Sequence, residues 1–300
     1  MTQLLANWAE SYYKTFKKVF DLGVGVKRNF MEELYSVADS DMPIEYNQGL
    51  GEFGLIEDWD KSGRQVYYTD VSKGHKSTYT HKKYSIGTKI ERELVMFNKY
   101  PQIKKKLTGL KESVDRSIQW HAMNLFNHAF DTTITGPDGY SLCYDSHPVI
   151  PNSSTTIDNS GTLELNAVNL ETTRTAMMGW KDEQGNYLMV EPDLLLVPPA
   201  LRKTARIIAE TPEEPDITDH GINVWKGAVD VMECKLLTDS GRWFLIDKSR
   251  MSKYLNWYWA RRPDFQQDKE FNTEIASYAV FLMFSYGWDD PSWVYGNDPA

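Results

Sequence analysis

The chain has 300 residues, 41% hydrophobic and 25% charged, the balance of a folded globular protein rather than a disordered or fibrous one. Its formal net charge of −9 excludes a molecule that binds nucleic acid through bulk electrostatics. Two widely separated cysteines, Cys143 and Cys234, exclude a disulfide framework and a CxxC metal knuckle, and read as buried free thiols.

Residues 1 to 22 predict a short amphipathic helix, with Leu4, Leu5, Trp8, Tyr12, Phe16 and Phe20 along one side. A loose, glycine-containing stretch follows to residue 60. An arm of this kind has little core of its own and is expected to lie on another surface. Residues 61–92 predict two β-rich arms around a turn at Ser72-Lys73-Gly74-His75. Tyr84, Ile86, Thr88 and Ile90 alternate with polar positions, but Tyr79 is out of phase with them, which predicts a bulge near Lys82. The ribbon carries eight cations (Lys61, Arg64, Lys73, Lys76, Lys82, Lys83, Lys89 and Arg92) against Asp70 and Glu91. Such a polar two-stranded ribbon is marginal alone in water, so it too should rest on something else.

Leu107, Leu110, Val114, Ile118, Ala122, Leu125 and Ala129 recur every three or four residues and predict one long helix over 102–130. Pro101 suits its first turn. "TGPDGY" (135–140) stops it, and residues 146–162 read as a polar loop. Residues 164–180 are helical again. "PDLLLVPPALRKTARIIAE" (192–210) then predicts a buried strand, a proline corner and a helix, since paired prolines forbid the strand from continuing. An acidic loop follows, and strand-like segments fill "INVWKGAVDVME", "RWFLIDKS", "YLNWYWARRPDFQQDKEF" and "EIASYAVFLMFSYGW". Helices and strands without a regular βαβ rhythm make the fold class α+β.

Chemistry is sparse. Neither GxGxxG nor GxxxxGK[ST] is present, and there is no GxSxG elbow. His121 and His128 lie seven apart on the long helix, too far to share a zinc. Asp145-Ser146-His147 has the letters of a triad, but adjacent residues place the base badly, and a turn before Pro148 is the better account. No cofactor or metal is called for, and no catalytic residue is assigned. The basic ribbon reads either as a solvated hairpin or as a flap that docks on carboxylates; Tyr67, Tyr68 and Tyr79 among the lysines leave nucleic-acid stacking as a weaker option. The carboxylates at hand are Glu210, Glu213, Glu214, Asp216 and Asp219. The N-terminus lacks the pattern of a secretion signal, and no apolar run approaches the roughly 18 residues of a membrane span. The expectation is a protein made in a cytoplasm, with no membrane partner.

The order of arm, basic ribbon, long helix, polar loop, mixed lobe and closing strands resembles the major capsid proteins of tailed phages with the Hong Kong 97-type fold. Within them it resembles the Mu-like major head subunit family. "HKKYSIGTKIERELV" (81–95), "DGYSLCYDSHP" (138–148), the stretch 165–210 and "WFLI" (243–246) carry the likeness. The resemblance implies an N-terminal arm (1–60), an E-loop hairpin (61–92), a peripheral domain (93–165 and 253–278) with a spine helix, and an axial domain (166–252 and 279–300). It implies a non-enzymatic subunit of a closed shell of hexamers and pentamers, made in a bacterial host and located in the virion. Lys73, His75, Lys76, Lys82 and Lys83 would be inter-subunit contacts of the E-loop, and the five carboxylates their candidate partners. A separate scaffolding protein, a portal, a decoration protein as a further candidate, and DNA met non-specifically at the inner face complete the implied partners. Other virion components (an adaptor or tail protein) and, more remotely, a cytosolic enzyme are the alternatives.

Overall fold

The computed structural model describes residues 8–22, 28–56, 68, 70–212, 222–270 and 275–299. In chain order, helices α1 (Trp8–Asp21) and α2 (Phe30–Leu34) lead into strands β1 (Ser36–Asp39), β2 (Ile44–Leu50), β3 (Lys73–Thr80) and β4 (Lys82–Glu91). Helix α3 (Arg92–Met96) and the long α4 (Tyr100–Asn127) follow, then three two-residue strands, β5 (His147–Pro148), β6 (Thr156–Ile157) and β7 (Ser160–Gly161). Next come α5 (Ala167–Met178), β8 (Leu194–Val197), a 3₁₀ turn (Pro199–Leu201), α6 (Arg202–Glu210), β9 (Asp230–Glu233) and β10 (Trp243–Ile246). Helix α7 (Lys248–Tyr254), the long strands β11 (Leu255–Glu270) and β12 (Ile275–Trp288), and β13 (Val294–Asn297) close the chain.

The long helix α4 forms as its spacing requires. Its 28 residues span about 42 Å at 1.5 Å per residue. The apolar stripe from Leu107 to Leu125 is buried throughout, and Ala129 is buried just beyond the helix end. The stripe covers a four-stranded sheet of order β1-β11-β12-β4. Alternate residues of β12 (Ala276, Tyr278, Val280, Leu282 and Phe284) face it. Aromatic stacking fills the layer: Trp257 lies 4.5 Å from Phe284 and 5.2 Å from Tyr286, centroid to centroid. Helix α1 packs beside α4, with Phe16 edge-on to Tyr278 and Phe20 stacked on Phe265. The predicted stripe of α1 is thus real at Tyr12, Phe16 and Phe20; Leu4 and Leu5 fall outside the described residues.

A second sheet, of order β7-β13-β10-β8-β9, divides the molecule into two cores. Leu194 and Leu196 of β8 point into the first core, and Leu195 and Val197 into the second. In β10, Phe244 and Ile246 face one way and Trp243 and Leu245 the other. A wall apolar on both sides explains why these strands read as unbroken apolar runs. Helices α5 and α6 cover its outer side, through Leu170, Met177, Ala205 and Ile208. The proline corner is as predicted: Pro198 leaves β8 in extended backbone, Pro199 opens the 3₁₀ turn, and α6 runs on. Of "INVWKGAVDVME" only Asp230–Glu233 is a strand. Upstream, Asn223 donates to the Ile208 and Thr211 carbonyls and fixes a turn instead.

The ribbon differs from expectation. β3 does not pair with β4. It pairs antiparallel with β2, from Ile44 opposite Thr80 to Leu50 opposite Lys73. β4 instead forms the edge of the four-stranded sheet, along β12 from Phe284 opposite Lys82 to Ile275 opposite Glu91. Ser72-Lys73-Gly74-His75 is therefore not a turn but the entry to β3. Gly74 is there for close packing: a Cβ on it would sit 2.8 Å from the Gly49 carbonyl carbon. The phase change near Lys82 is not a bulge; at His81 the chain leaves one sheet and enters the other. The hairpin is thus 44–80, and Lys82 and Lys83 belong to the main sheet. Likewise β12 runs unbroken across the expected 278/279 boundary, because its whole length pairs with β11. Only β13 joins the second sheet, and β1, expected in the arm, pairs in parallel with β11.

Candidate assembly surface

The hairpin is held at its base by two polar junctions. At the first, His81 is buried between Ser40 and Ser285, its ring nitrogens 3.1 and 3.0 Å from their hydroxyls. Ser40 also donates to Glu45 at 2.5 Å. At the second, Asp289 collects three donors: Tyr79 Oη at 2.6 Å, Asn256 Nδ2 at 2.8 Å and Asn47 Nδ2 at 2.9 Å. Asn47 and Tyr79 come from the two arms of the hairpin and Asn256 from β11, so one carboxylate pins the hairpin to the main sheet. Burial, then the Asp289 charge, pushes the Tyr79 phenol well above its ordinary range, so it stays a donor.

Beyond these junctions the hairpin rests on its own chain for a short distance. His75 Nε2 lies 3.0 Å from the Pro148 carbonyl, Gln184 Nε2 donates to the Glu52 carbonyl at 3.3 Å, and Lys76 sits 4.2 Å over the Tyr46 ring. The contact continues to Gly54, where an added Cβ would sit 2.4 Å from Gln184 Oε1. Leu50, Phe53, Leu55 and Ile56 form a run of exposed apolar side chains, with Leu55 81% and Ile56 100% accessible. Such a cluster on one arm of a thin ribbon marks a contact surface rather than a scatter of surface leucines.

The other predicted residues are dispersed. Lys73 and Lys76 are exposed on β3; Lys82 and Lys83 are exposed on β4, in the other sheet. Glu210 is exposed at the end of α6, 3.8 Å from Arg206. Glu213, Glu214, Asp216 and Asp219 lie outside the described residues. Sequence reasoning missed the apolar tip, because its hairpin began at 61; Leu50, Phe53, Leu55 and Ile56 spaced among glycines were the available signal. It also missed Asp289.

A cleft under the outer part of the hairpin is lined in part by His75, Asp138, His147, Glu183 and Arg250. His147 Nδ1 lies 2.5 Å from Asp138 Oδ2, and both side chains are buried. The partner is the aspartate of the 136–139 turn, not the adjacent Asp145. Among the described residues, no serine, threonine, cysteine or lysine lines the cleft, and none offers His147 Nε2 a hydrogen-bond partner. The buried pair ties the 136–139 turn to β5. Both cysteines are free and buried, and burial pushes both thiols up, away from reactivity. Among the described residues no cluster could hold a metal ion, and no helix is long and apolar enough to cross a membrane.

His121 on α4 sits against Tyr84, Phe284 and Tyr286. Burial, with the Lys82 charge second, lowers its pKa below 6.5. Below 6.5 the unfolded chain then binds a proton that the folded one resists, so stability falls as pH drops toward the folded value. Urea unfolding of the unassembled subunit between about pH 7 and pH 5 should show that loss, and His121→Gln should make it smaller. An unchanged pH profile in the variant would contradict this placement.

Comparisons with known proteins identify the family of this fold. The family model described as phage capsid protein matches residues 76–297. Among solved structures, the mature capsid of bacteriophage PhiM1 superposes with a TM-score of 0.58 at 9% identity, covering 93% of this chain and 89% of that one. The capsid of cyanophage P-SCSP1u gives 0.56 at 10% identity, with coverages of 93% and 90%. The decorated capsid of bacteriophage JBD30 gives 0.55 at 15% identity, with 71% and 92%. No curated protein matches. The fold is the α+β Hong Kong 97-type capsid fold, and the chain belongs to the phage capsid protein family.

Proposed function

We infer that this chain is a major capsid protein, a structural and non-enzymatic subunit of the virion shell. The observation that carries the reading is the exposed apolar tip: the polar base of the hairpin is satisfied within the chain, while the side chains of Phe53, Leu55 and Ile56 stay largely uncovered among the described residues. In this reading the hairpin is the E-loop, laid over a neighbouring copy, with α4 as the spine helix of the peripheral domain and the five-stranded sheet as the core of the axial domain. The shell is closed from hexamers and pentamers, and the head subunit is of the Mu-like kind. Scaffolding protein, portal, a decoration protein and packaged DNA are its further partners, and the host bacterial cytoplasm is where it is made. Each contact is moderate, and closure makes them collectively strong.

The test separates apolar from ionic contributions. Replacing Phe53, Leu55 and Ile56 together with Ser removes about 2 kcal/mol of burial per side chain at each copy of the interface. The variant should remain folded yet form no closed particles by electron microscopy. Particles as abundant as those of the parent would overturn the role of the tip. Lys73→Ser with Lys76→Ser should instead leave shells that dissociate at lower salt, since single exposed pairs are worth under about 1 kcal/mol. Lys82→Ser with Lys83→Ser, away from the hairpin, should have the smaller effect. Equal salt resistance in all three proteins would remove electrostatics from the account.

A further inference from the structure

The cations of this chain are not evenly placed. Residues 99–106 hold Lys99, Lys104, Lys105 and Lys106 with no acid among them, and α1 holds Lys14, Lys17 and Lys18. The fold brings these two stretches side by side. Tyr12 Oη lies 3.1 Å from Tyr100 Oη, and Lys111 Nζ lies 5.7 Å over the Phe20 ring, so α1 runs alongside the first half of α4 in the same direction. Both helices turn their apolar stripes to the sheet. Lys14 and Lys18 are one turn apart on the exposed side of α1, and Lys104 and Lys105 are exposed on α4. Some neighbours are already engaged: Lys111 with Asp115 at 2.7 Å, and Lys106 with the Lys89 carbonyl at 3.0 Å. Lys14, Lys18, Lys99, Lys104 and Lys105 form no ion pair among the described residues. Four such cations therefore share one helix-pair surface, with Lys99 at the start of α4 as a fifth, in a chain whose net charge is −9.

We propose that the outward faces of α1 and of the first half of α4 form the surface that meets double-stranded DNA inside the shell. The proposal rests on the capsid reading above. Three features fit a nucleic-acid backbone. The helix axes lie roughly 10 Å apart, and duplex DNA presents one phosphate charge per about 1.7 Å of its axis, so a patch of this width always faces several phosphates. The five cations are all lysines, compact point charges on flexible stems that follow a phosphate in any register; the forked geometry of arginine, which reads fixed positions, is absent from the set. The cations lie along the sides of two helices, and among the described residues neither helix presents its end to a groove, so binding is independent of sequence. A few weak interactions per subunit, repeated over the shell, hold DNA without fixing it.

The test is carried out on unassembled subunits, which expose this face, with a short DNA duplex as probe. In the variant Lys14→Gln/Lys18→Gln/Lys104→Gln/Lys105→Gln, duplex affinity should fall roughly tenfold or more at low salt. The slope of log K against log salt should shrink by about 0.9 for each phosphate that is no longer neutralised. A control, Lys203→Gln/Lys226→Gln/Lys235→Gln/Lys253→Gln, removes the same charge from exposed sites elsewhere and should leave binding nearly unchanged. Equal losses in both variants, or no loss in the first, would overturn the proposal. So would a first variant that binds duplex normally but no longer assembles, which would assign the face to an acidic protein partner. Particle formation, scored separately by electron microscopy in the unsubstituted protein, tells failure of this inference from failure of the capsid reading.

Discussion

Ile118→Asp is expected to abolish folding. Ile118 sits in the middle of the buried α4 stripe, between Val114 and Ala122, where the helix covers the main sheet. An aspartate there loses the transfer free energy of the isoleucine, leaves a void, and carries a carboxylate into the apolar core. The first two effects together cost about 2–5 kcal/mol, and an unpaired buried charge adds several more. Native stability is only about 5–15 kcal/mol in total. The variant should therefore be insoluble, or lack a cooperative unfolding transition by circular dichroism. Ser117→Asp, one residue away on the exposed side, should shift stability by no more than about 0.5 kcal/mol. A soluble, cooperatively folding Ile118→Asp protein would mean that α4 does not pack as described.

Asp289→Ala should loosen the hairpin while sparing the sheet beneath it. The substitution takes the acceptor from Tyr79, Asn47 and Asn256 at once. Hydrogen bonds to a charged acceptor are worth about 1.5–3 kcal/mol each, and donors left buried cost more than donors never placed there. With partial relaxation, the loss should be about 3 kcal/mol. It should be local: amides of β2 and β3 should exchange faster by roughly a hundredfold, and those in the middle of β11 and β12 should change little. Asp289→Asn, which keeps part of the acceptor, should lie between. Uniform acceleration through both sheets would show that hairpin and sheet open as one unit, and that Asp289 is no hinge pin.

The parts of the fold that were legible in the sequence are those whose signal is local. The α4 stripe repeats every three to four residues because one helix face is covered. The corner at Pro198-Pro199 is covalent stereochemistry, and the unbroken runs of β8 and β10 reflect burial on both faces. Pairing of β3 with β2 was not legible. Both strands are polar, so neither carries a buried face to set its partner or register, and the Ser72–His75 stretch has turn chemistry that the fold uses for close approach of Gly74 to Gly49. His81 left a trace as a break in alternation, but a strand that changes sheets and a strand that bulges leave the same trace. Asp289 and Tyr79 are 210 residues apart, and His147 and Asp138 meet only because a turn brings them together. The exposed tip was present as four apolar letters, and only the fold shows that nothing among the described residues covers them.

Electron cryo-microscopy of the purified protein over a range of concentration and salt tests the central claim most directly. Closed particles tens of nanometres across are expected, in which the tip residues Phe53, Leu55 and Ile56 of each copy lie against a neighbour. A protein that stays monomeric throughout, or a shell in which those side chains remain bare, would contradict it.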